Sequence, residues 1–314
     1  MVVDLFYRTP RIIGADEKIL LDARRDGAAT QQTAVGGVVL NHLGWARILG
    51  LNAGIFGKMG DDAHGKFLRD GMDALGIRHH LTLDGSASSF ANIFIDRAGD
   101  RSIYMMRAAT AELRPGEIRR RHGAFIRRAS IVSTEVSQLP LPTVIAVLEF
   151  ARAHSITTVL DVDVPPSDAC ATLGTRTELE RALRLATILK PAKSAARELA
   201  GSSRDILKMG EVIRRQYGNQ AVVITDGNKG CAIVANEASF LVPAFRVKQI
   251  DSTGAGDAHT GVFVAAMAAG LDPISAAHRA NAAAAVSVTR RGPATAPTIE
   301  ELERFLAASQ QCRA

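Results

Sequence analysis

Between Asp251 and Asp257 the sequence reads DSTGAGD: an acid, two hydroxyls, a Gly-Ala-Gly turn and a second acid, just ahead of the apolar residues Val262, Phe263, Ala265, Ala266 and Met267. These residue types suit phosphoryl transfer. A helix starting here leaves N–H groups unpaired and presents the positive end of its dipole, so Gly254, Ala255 and Gly256 can wrap donors around a phosphate. Glycine lets backbone come that close. Asp257 falls in the first turn, where a carboxylate can take the proton of an attacking hydroxyl while the cradle holds charge growing on the transferred group. Gly270 and Pro273 mark the helix's end. Asp-Ser-Thr is also an ordinary N-cap cluster and Gly-Ala-Gly-Asp an ordinary strand-to-helix turn, so the string alone leaves both readings open.

The elements that must position this turn alternate. Short β-rich runs at 130–133, 157–161, 187–190 and 221–225 are separated by helical stretches such as 141–153 and 203–217. Alternation of this kind predicts an α/β fold, a mainly parallel sheet with helices on both faces, and ligands at the carboxyl ends of the strands. The first hundred residues break the rhythm. Ala91, Ile93 and Ile95 alternate along one run, the turn AGDR follows, and 102–106 returns as a hairpin partner. An extended segment, 18–35, leads into Gly36-Gly37, and together these predict a small antiparallel sheet outside the main layer.

Composition is compatible with this scheme. A chain of 314 residues, 47% apolar and 22% charged, has ample material for a core and excludes disordered and collagen-like classes. The three cysteines, Cys170, Cys231 and Cys312, make neither a CxxC pair nor a disulfide framework, which fits a reducing cytoplasm. No apolar run reaches the ~18 residues of a membrane span, and MVVDLFYR lacks the form of a signal peptide. The net charge of +6 suits anionic ligands. The cluster Arg119, Arg120, Arg121, Arg127 and Arg128 falls around a helix and reads as a solvated face, so neither nucleic acid nor membrane is an expected partner.

Taken in order, these features resemble the PfkB carbohydrate kinases, the ribokinase family, whose C-terminal signature is D-[ST]-x-G-A-G-D. The likeness runs from about Val2 to about Glu301. It implies a single three-layer α/β/α domain over 1–314 with a small antiparallel β lid from about 8–36 and 87–108, often the dimer contact, so a homodimer through the lid is expected. It also implies ATP-dependent phosphorylation of a sugar or sugar-like hydroxyl, with Asp257 as general base and the backbone of Gly254, Ala255 and Gly256 as anion hole. In GGVVLNHLGWARILG, Gly36 and Gly37 allow close approach to a polyol and Asn41 offers both donor and acceptor. The intervals from Asn41 to Gly50 and from Gly50 to Gly60 match the family's N-terminal signature, while Leu43 stands where a small residue is usual. Asp4 fits an aspartate that ends the family's first strand and binds sugar hydroxyls. Met1 lies only three residues before it, so that strand is expected to be truncated or to begin upstream. Glu135 resembles an acid that contacts the sugar, with a surface loop acid as its alternative. Arg107 resembles an arginine near the substrate in the ketodeoxygluconate and fructose branches; a lid-surface charge is the alternative.

On the nucleotide side the resemblance places Thr225, Gly227 and Gly230 of TDGNKG, together with Lys190, Thr253, Gly254 and Gly256, near ATP. Asn281, in an alanine-rich helix, is placed near the adenine. Asp251 falls where relatives hold a monovalent cation, so K⁺ is an expected ligand there. Magnesium is the clearest departure. Where relatives carry K-P-N-x-x-E, this chain has Lys190-Pro191-Ala192-Lys193-Ser194-Ala195, without the Asn and Glu that organise the metal's waters. Mg²⁺ binds largely through phosphate oxygens and water, so Mg²⁺·ATP dependence is still expected, with Lys193 as a substitute charge. His259, where relatives have Phe, reads as a helix-surface or packing residue. LDVDVPPSDA, 160–169, lacks the Asn and Arg of the ketodeoxygluconate and fructose branches, so the sugar stays unnamed. A nucleoside kinase of the same fold and a catalytically silent ligand sensor are the other readings.

Overall fold

A computed structural model describes residues 1–21, 32–84, 86–97, 100–201, 203–235, 238–252, 254–290 and 297–311. The strands among them are β1 (Val2–Arg8), β2 (Gln32–Gly36), β3 (Gly54–Met59), β4 (Arg78–Leu83), β5 (Phe90–Ile95), β6 (Arg101–Met106), β7 (Ile131–Glu135), β8 (Thr157–Val162), β9 (Ile188–Pro191), β10 (Ala221–Thr225), β11 (Cys231–Ala235) and β12 (Ala238–Val242). Six of them form the main sheet, in the order β12-β11-β10-β9-β8-β7. From β7 to β10 it is parallel, and β11 and β12 close one edge antiparallel.

A parallel sheet is covered on both faces, so its strands carry apolar residues in both directions. Strand β10 shows this. Val222 and Ile224 join a core with Leu148, Leu179 and Ile213 from the helices Leu141–Ala153, Arg176–Leu185 and Ile206–Tyr217. Ala221 and Val223 face the other way, toward Phe263, Ala277 and Leu302 from the helices Ala255–Ala268, Pro273–Ser287 and Ile299–Gln311. The fold is a three-layer α/β/α sandwich, as the alternation of runs predicts.

The N-terminal third differs. Strands β2-β1-β5-β6 make a four-stranded sheet, and β3-β4 a separate parallel pair. The hairpin β5-β6 forms as expected, with Ile95 opposite Arg101. Two expectations are corrected. The lid is mixed rather than antiparallel, because β1 pairs β2 antiparallel but β5 parallel; the long crossover that a parallel pair requires is supplied by β2 to β4 and their helices. Asp4 does not end a strand of the main layer: it lies within β1 of the lid, paired with Ala34 and Ala91. The lid strands thus begin at Val2 rather than near residue 8, and 22–31 of the expected extended segment lie outside the described residues. Between β3 and β7 is a cavity of ≈ 460 Å³ lined by Ile55, Phe56, Ile131, Val132, Leu139 and Met1.

Two close approaches bring the lid and the main layer to one place. The helix Val38–Ile48, which follows β2, packs on Ala255–Ala268 at Gly261, where an added Cβ would stand 2.6 Å from Trp45 Cβ and 2.7 Å from the His42 carbonyl. Only glycine fits that crossing. Gly36 does the same for the lid, since a Cβ there would lie 2.1 Å from an Asp4 carboxylate oxygen.

Candidate active site

The helix Ala255–Ala268 starts as its sequence dictates. Gly254 takes the left-handed conformation at the N-cap (φ 77°), a geometry that costs glycine little, and no side chain caps the exposed N–H groups. At Gly256 the space where a Cβ would stand is open. The backbone N–H groups of Gly254 and Gly256, beside an Ala255 N–H that reaches the Ser252 carbonyl at 3.3 Å, lie at a helix N-terminus that suits an anion. At the other end Gly270 (φ 87°) follows the C-cap Ala269, the stop expected from sequence. Thr253, expected beside the cradle, lies outside the described residues.

Asp257 projects from the first turn with its carboxyl partly exposed, at 24%. Asn41 Nδ2 donates to its Oδ2 at 2.7 Å, so the amide expected to orient a sugar also aims the candidate base. The glycines expected with Asn41 are placed beside it: Gly37 caps the helix Val38–Ile48 at φ 96°, and Gly36 faces Asp4. Burial pushes the Asp4 carboxyl up to about 7, and the charge of Asp257 adds to the rise. Glu135, at the end of β7, is buried and not a surface loop acid; its carboxyl is likewise pushed up to about 7, first by burial and further by Asp163. Asp163 keeps solvent access yet is raised to about 6 by desolvation and by its neighbours Asp161 and Asp257. Protons held by such carboxyls are released when hydroxyls or cations replace water around them.

Sequence reasoning singled out neither Asp161 and Asp163, nor His42 and Thr260, as site residues. Asp161 is buried at the end of β8, where Thr260 Oγ1 donates to its Oδ2 at 3.0 Å and Lys190 Nζ lies 3.4 Å away. The available signal was LDVDV, two acids closing a β-rich run, at the strand end where ligands bind. His42 follows Asn41 in the same helix turn and is 2% exposed.

Several expected residues have other company. Lys190, expected on the nucleotide side, is buried in β9 and engaged by Asp161, because its neighbouring carboxylate offers the partner a buried ammonium needs. Arg107 closes the lid onto the main layer, donating to the carbonyls of Thr172 (3.0 Å) and Gln138 (3.5 Å), so its guanidinium acts as a strap. Asn281 is buried, its amide nitrogen donating to the carbonyls of Val242 and Pro243 at 3.0 and 3.2 Å. It ties the helix Pro273–Ser287 to β12. His259 is a packing residue, stacked near Phe263, and burial depresses its imidazole to about 3.

Thr225 ends β10, and Gly227 (φ 53°) and Gly230 (φ 101°) shape the turn to β11. Gly230 is required there, since a Cβ would stand 2.0 Å from the Val242 carbonyl. Asp226 in this turn is paired with Lys193, the first residue of the helix Lys193–Ala200. Ala195 is fully buried and Ala192 caps that helix without a side-chain bond, so these two positions offer a metal no ligand. Among the described residues no cluster of three His, Cys, Asp or Glu could hold a metal ion. The Asp251 N–H donates to the Val288 carbonyl at 3.1 Å.

In sequence and in fold the chain is similar to known proteins. The family model described as "pfkB family carbohydrate kinase" matches residues 10–300. The chain belongs to the pfkB family of carbohydrate kinases. This kinase is 28% identical to a ribokinase of Bacillus subtilis over 88% of both chains. It is 27% identical to a bifunctional ribokinase/ribose-5-phosphate isomerase A of Fructilactobacillus sanfranciscensis over 74% of its own length, but spans only 42% of that larger protein. The solved structure of a ribokinase from Arabidopsis thaliana, complexed with ribose and ATP, superposes with a TM-score of 0.78 at 22% identity, covering 97% of this chain and 96% of that one. The ribokinase-like fold is thereby established. Among the described residues, no helix of the kinase is long and apolar enough to cross a membrane.

Proposed function

We propose that the kinase transfers the γ-phosphoryl group of ATP to a hydroxyl of a sugar or sugar-like substrate, with Asp257 as the general base. The observation that carries this reading is the placement of Asp257: one carboxylate oxygen held by Asn41, in the first turn of a helix whose N-cap, Gly254, leaves the N-terminus without a side-chain cap. Asp4, Gly36, Gly37, Asn41 and Glu135 orient the acceptor, whose hydroxyls donate to the crowded carboxylates. Asp257 removes the proton from the attacking hydroxyl as its oxygen bonds to the γ-phosphorus and the bond to ADP breaks. The backbone of Gly254, Ala255 and Gly256 holds the charge on the moving group. Thr225, Gly227 and Gly230 line the nucleotide side.

ATP enters as its magnesium complex, and the ion neutralises phosphate charge. With alanine at 192 and 195, the chain supplies no outer-shell acid or amide there, so phosphate oxygens and water hold the ion. Lys193 brings a positive charge to that side. Its position at a helix N-terminus is disfavoured by the dipole and is compensated by Asp226, a pairing that a phosphate can replace. A monovalent cation such as K⁺ sits beside Asp251. The lid edge β6 exposes Ile103, Tyr104, Met105 and Met106, and this apolar edge is the contact of a homodimer.

The test is an acceptor panel of ribose, fructose, ketodeoxygluconate, tagatose, adenosine and inosine, with ADP release as the readout. Turnover on a free sugar is the expected result; turnover confined to nucleosides makes the protein a nucleoside kinase. Sugar and nucleotide binding without ADP release makes it a sensor. The nearly intact Asp257 constellation speaks against the last of these.

A further inference from the structure

The base is coupled to a second, fully buried carboxylate through one imidazole. His42 Nε2 stands 3.7 Å from Asp257 Oδ1 and 3.6 Å from Asp161 Oδ2. Neither of its ring nitrogens has a hydrogen-bond partner, although the side chain is 2% exposed. A buried imidazole without partners is costly unless it does something. Its surroundings are one-sided: Asp257 faces it from the helix Ala255–Ala268, Asp161 from β8, Glu135 from β7 and Asp163 from the loop after β8. Of the cations in this region, Lys190 is engaged by Asp161 and the Met1 ammonium faces Glu135 and Asp4. Asp257 itself has its other oxygen occupied by Asn41, so Oδ1 is the oxygen left for a proton.

We propose that His42 is a positioning residue that takes over the proton Asp257 receives from the substrate, with Asp161 stabilising the imidazolium that results. This rests on the reading of Asp257 as base. The acceptor's O–H bond breaks as its O–P bond forms and the bond between the γ-phosphorus and ADP breaks; the proton passes to Asp257 Oδ1. It then passes to His42 Nε2, closing a gap that needs a shift of under about 1 Å to reach hydrogen-bond distance. Asp257 is thereby returned to its ionised form within the buried site, without waiting for water. Thr260 and Lys190 hold the Asp161 carboxyl in place beside the same nitrogen. Gly261 fixes the distance, because it lets His42 and Asp257 share one helix crossing.

Two measurements test this on the full-length protein. The first compares wild type, His42→Gln and Asp161→Asn in steady-state turnover between about pH 5.5 and 9. Both substitutions are expected to lower kcat by roughly tenfold or more, the low end of proton-transfer effects. KM for sugar and ATP should stay within about twofold, and the pH profile of kcat should lose one limb. The second follows the carbon-13-labelled imidazole of His42 by NMR during a pH titration, with His42→Gln to assign the signal, and does not depend on turnover. Its midpoint should fall in both Asp161→Asn and Asp257→Asn, because each removes a charge that favours the imidazolium. Unchanged kcat and pH profile in His42→Gln would overturn the proposal. So would a His42 midpoint indifferent to both carboxylates. If wild type turns over no acceptor but the His42 midpoint responds to both, the kinase reading fails while the coupling stands.

Discussion

The region proposed to take the acceptor and the region proposed to take the nucleotide are built on opposite plans. The acceptor side is interlocked. Asp257, Asn41, His42, Asp161, Thr260 and Lys190 come from two helices and two strands and hold one another at 2.7 to 3.7 Å, most of them buried. Its raised carboxyls show that charge has been concentrated beyond what the fold alone prefers. The nucleotide side is made of glycine turns, backbone donors and one accessible ion pair, Lys193 with Asp226, and lacks the side chains that relatives devote to the metal. On the proposed function, recognition and proton transfer would fall to interlocked side chains, and phosphate binding to backbone geometry. The contrast predicts that damage to the two sides will differ in kind: rate and pH dependence on one, nucleotide affinity on the other.

The sharpest break is Asp257→Asn, expected to lower kcat by ~100-fold or more while both KM values change little, measured by ADP release at saturating substrates. Gly261→Ala comes next. The added methyl forces the helix Val38–Ile48 away, costs about 1–3 kcal/mol of stability by overpacking, and displaces Asn41 and His42 from Asp257 together. Turnover should fall by roughly tenfold, with a lowered melting temperature by calorimetry; an unchanged kcat would mean that the crossing does not position the base.

A pH effect on stability follows from the acceptor side alone. The folded-state pKa values of Asp4 and Glu135 are about 7, above those of exposed carboxyls, so the folded protein binds protons more tightly than the unfolded chain. The stabilisation is complete below about pH 4 and is lost as pH rises through about 7. Buried His259, depressed to about 3, acts in the opposite sense at low pH, so the effect is read as a difference: relative to wild type, Asp4→Asn should gain melting temperature at about pH 8 and lose it at about pH 5.5. The smallest effect is that of Lys193→Ala, where loss of a partly exposed cation should raise the KM for ATP a few-fold, or under about 1 kcal/mol, and leave the sugar KM unchanged.

Much of this was legible in the residues. DSTGAGD carries its own helix start, and the runs at 157–161, 187–190 and 221–225 mark strands because both faces of a parallel sheet are apolar. The sequence placed Asn41 and Asp257 in one site although 216 positions separate them. What local pattern could not show was long-range company. Nothing in LKPAKS says that Lys190 turns to Asp161, and nothing in VLNHLG says that His42 is buried between two acids, since both depend on a helix crossing set by Gly261. Asp4 was assigned to the wrong sheet for a related reason: its register with Ala34 and Ala91 is a matter of pairing, and a strand's sequence does not name its neighbours. Ser130 to Lys190 was easier, because there the strands pair in near-sequential order.

The central claim is that phosphoryl transfer to a sugar hydroxyl depends on Asp257. The most direct measurement is phosphorus-31 NMR of ATP mixed with wild type and with Asp257→Asn, each in turn with the sugars of the acceptor panel. The account predicts that the γ-phosphate signal of wild type is replaced by that of a sugar phosphate, in equal amount with ADP, and that Asp257→Asn, while binding both ligands, converts them at least about 100-fold more slowly. A sugar phosphate formed equally fast by both proteins, or inorganic phosphate as the only product of wild type, would contradict it.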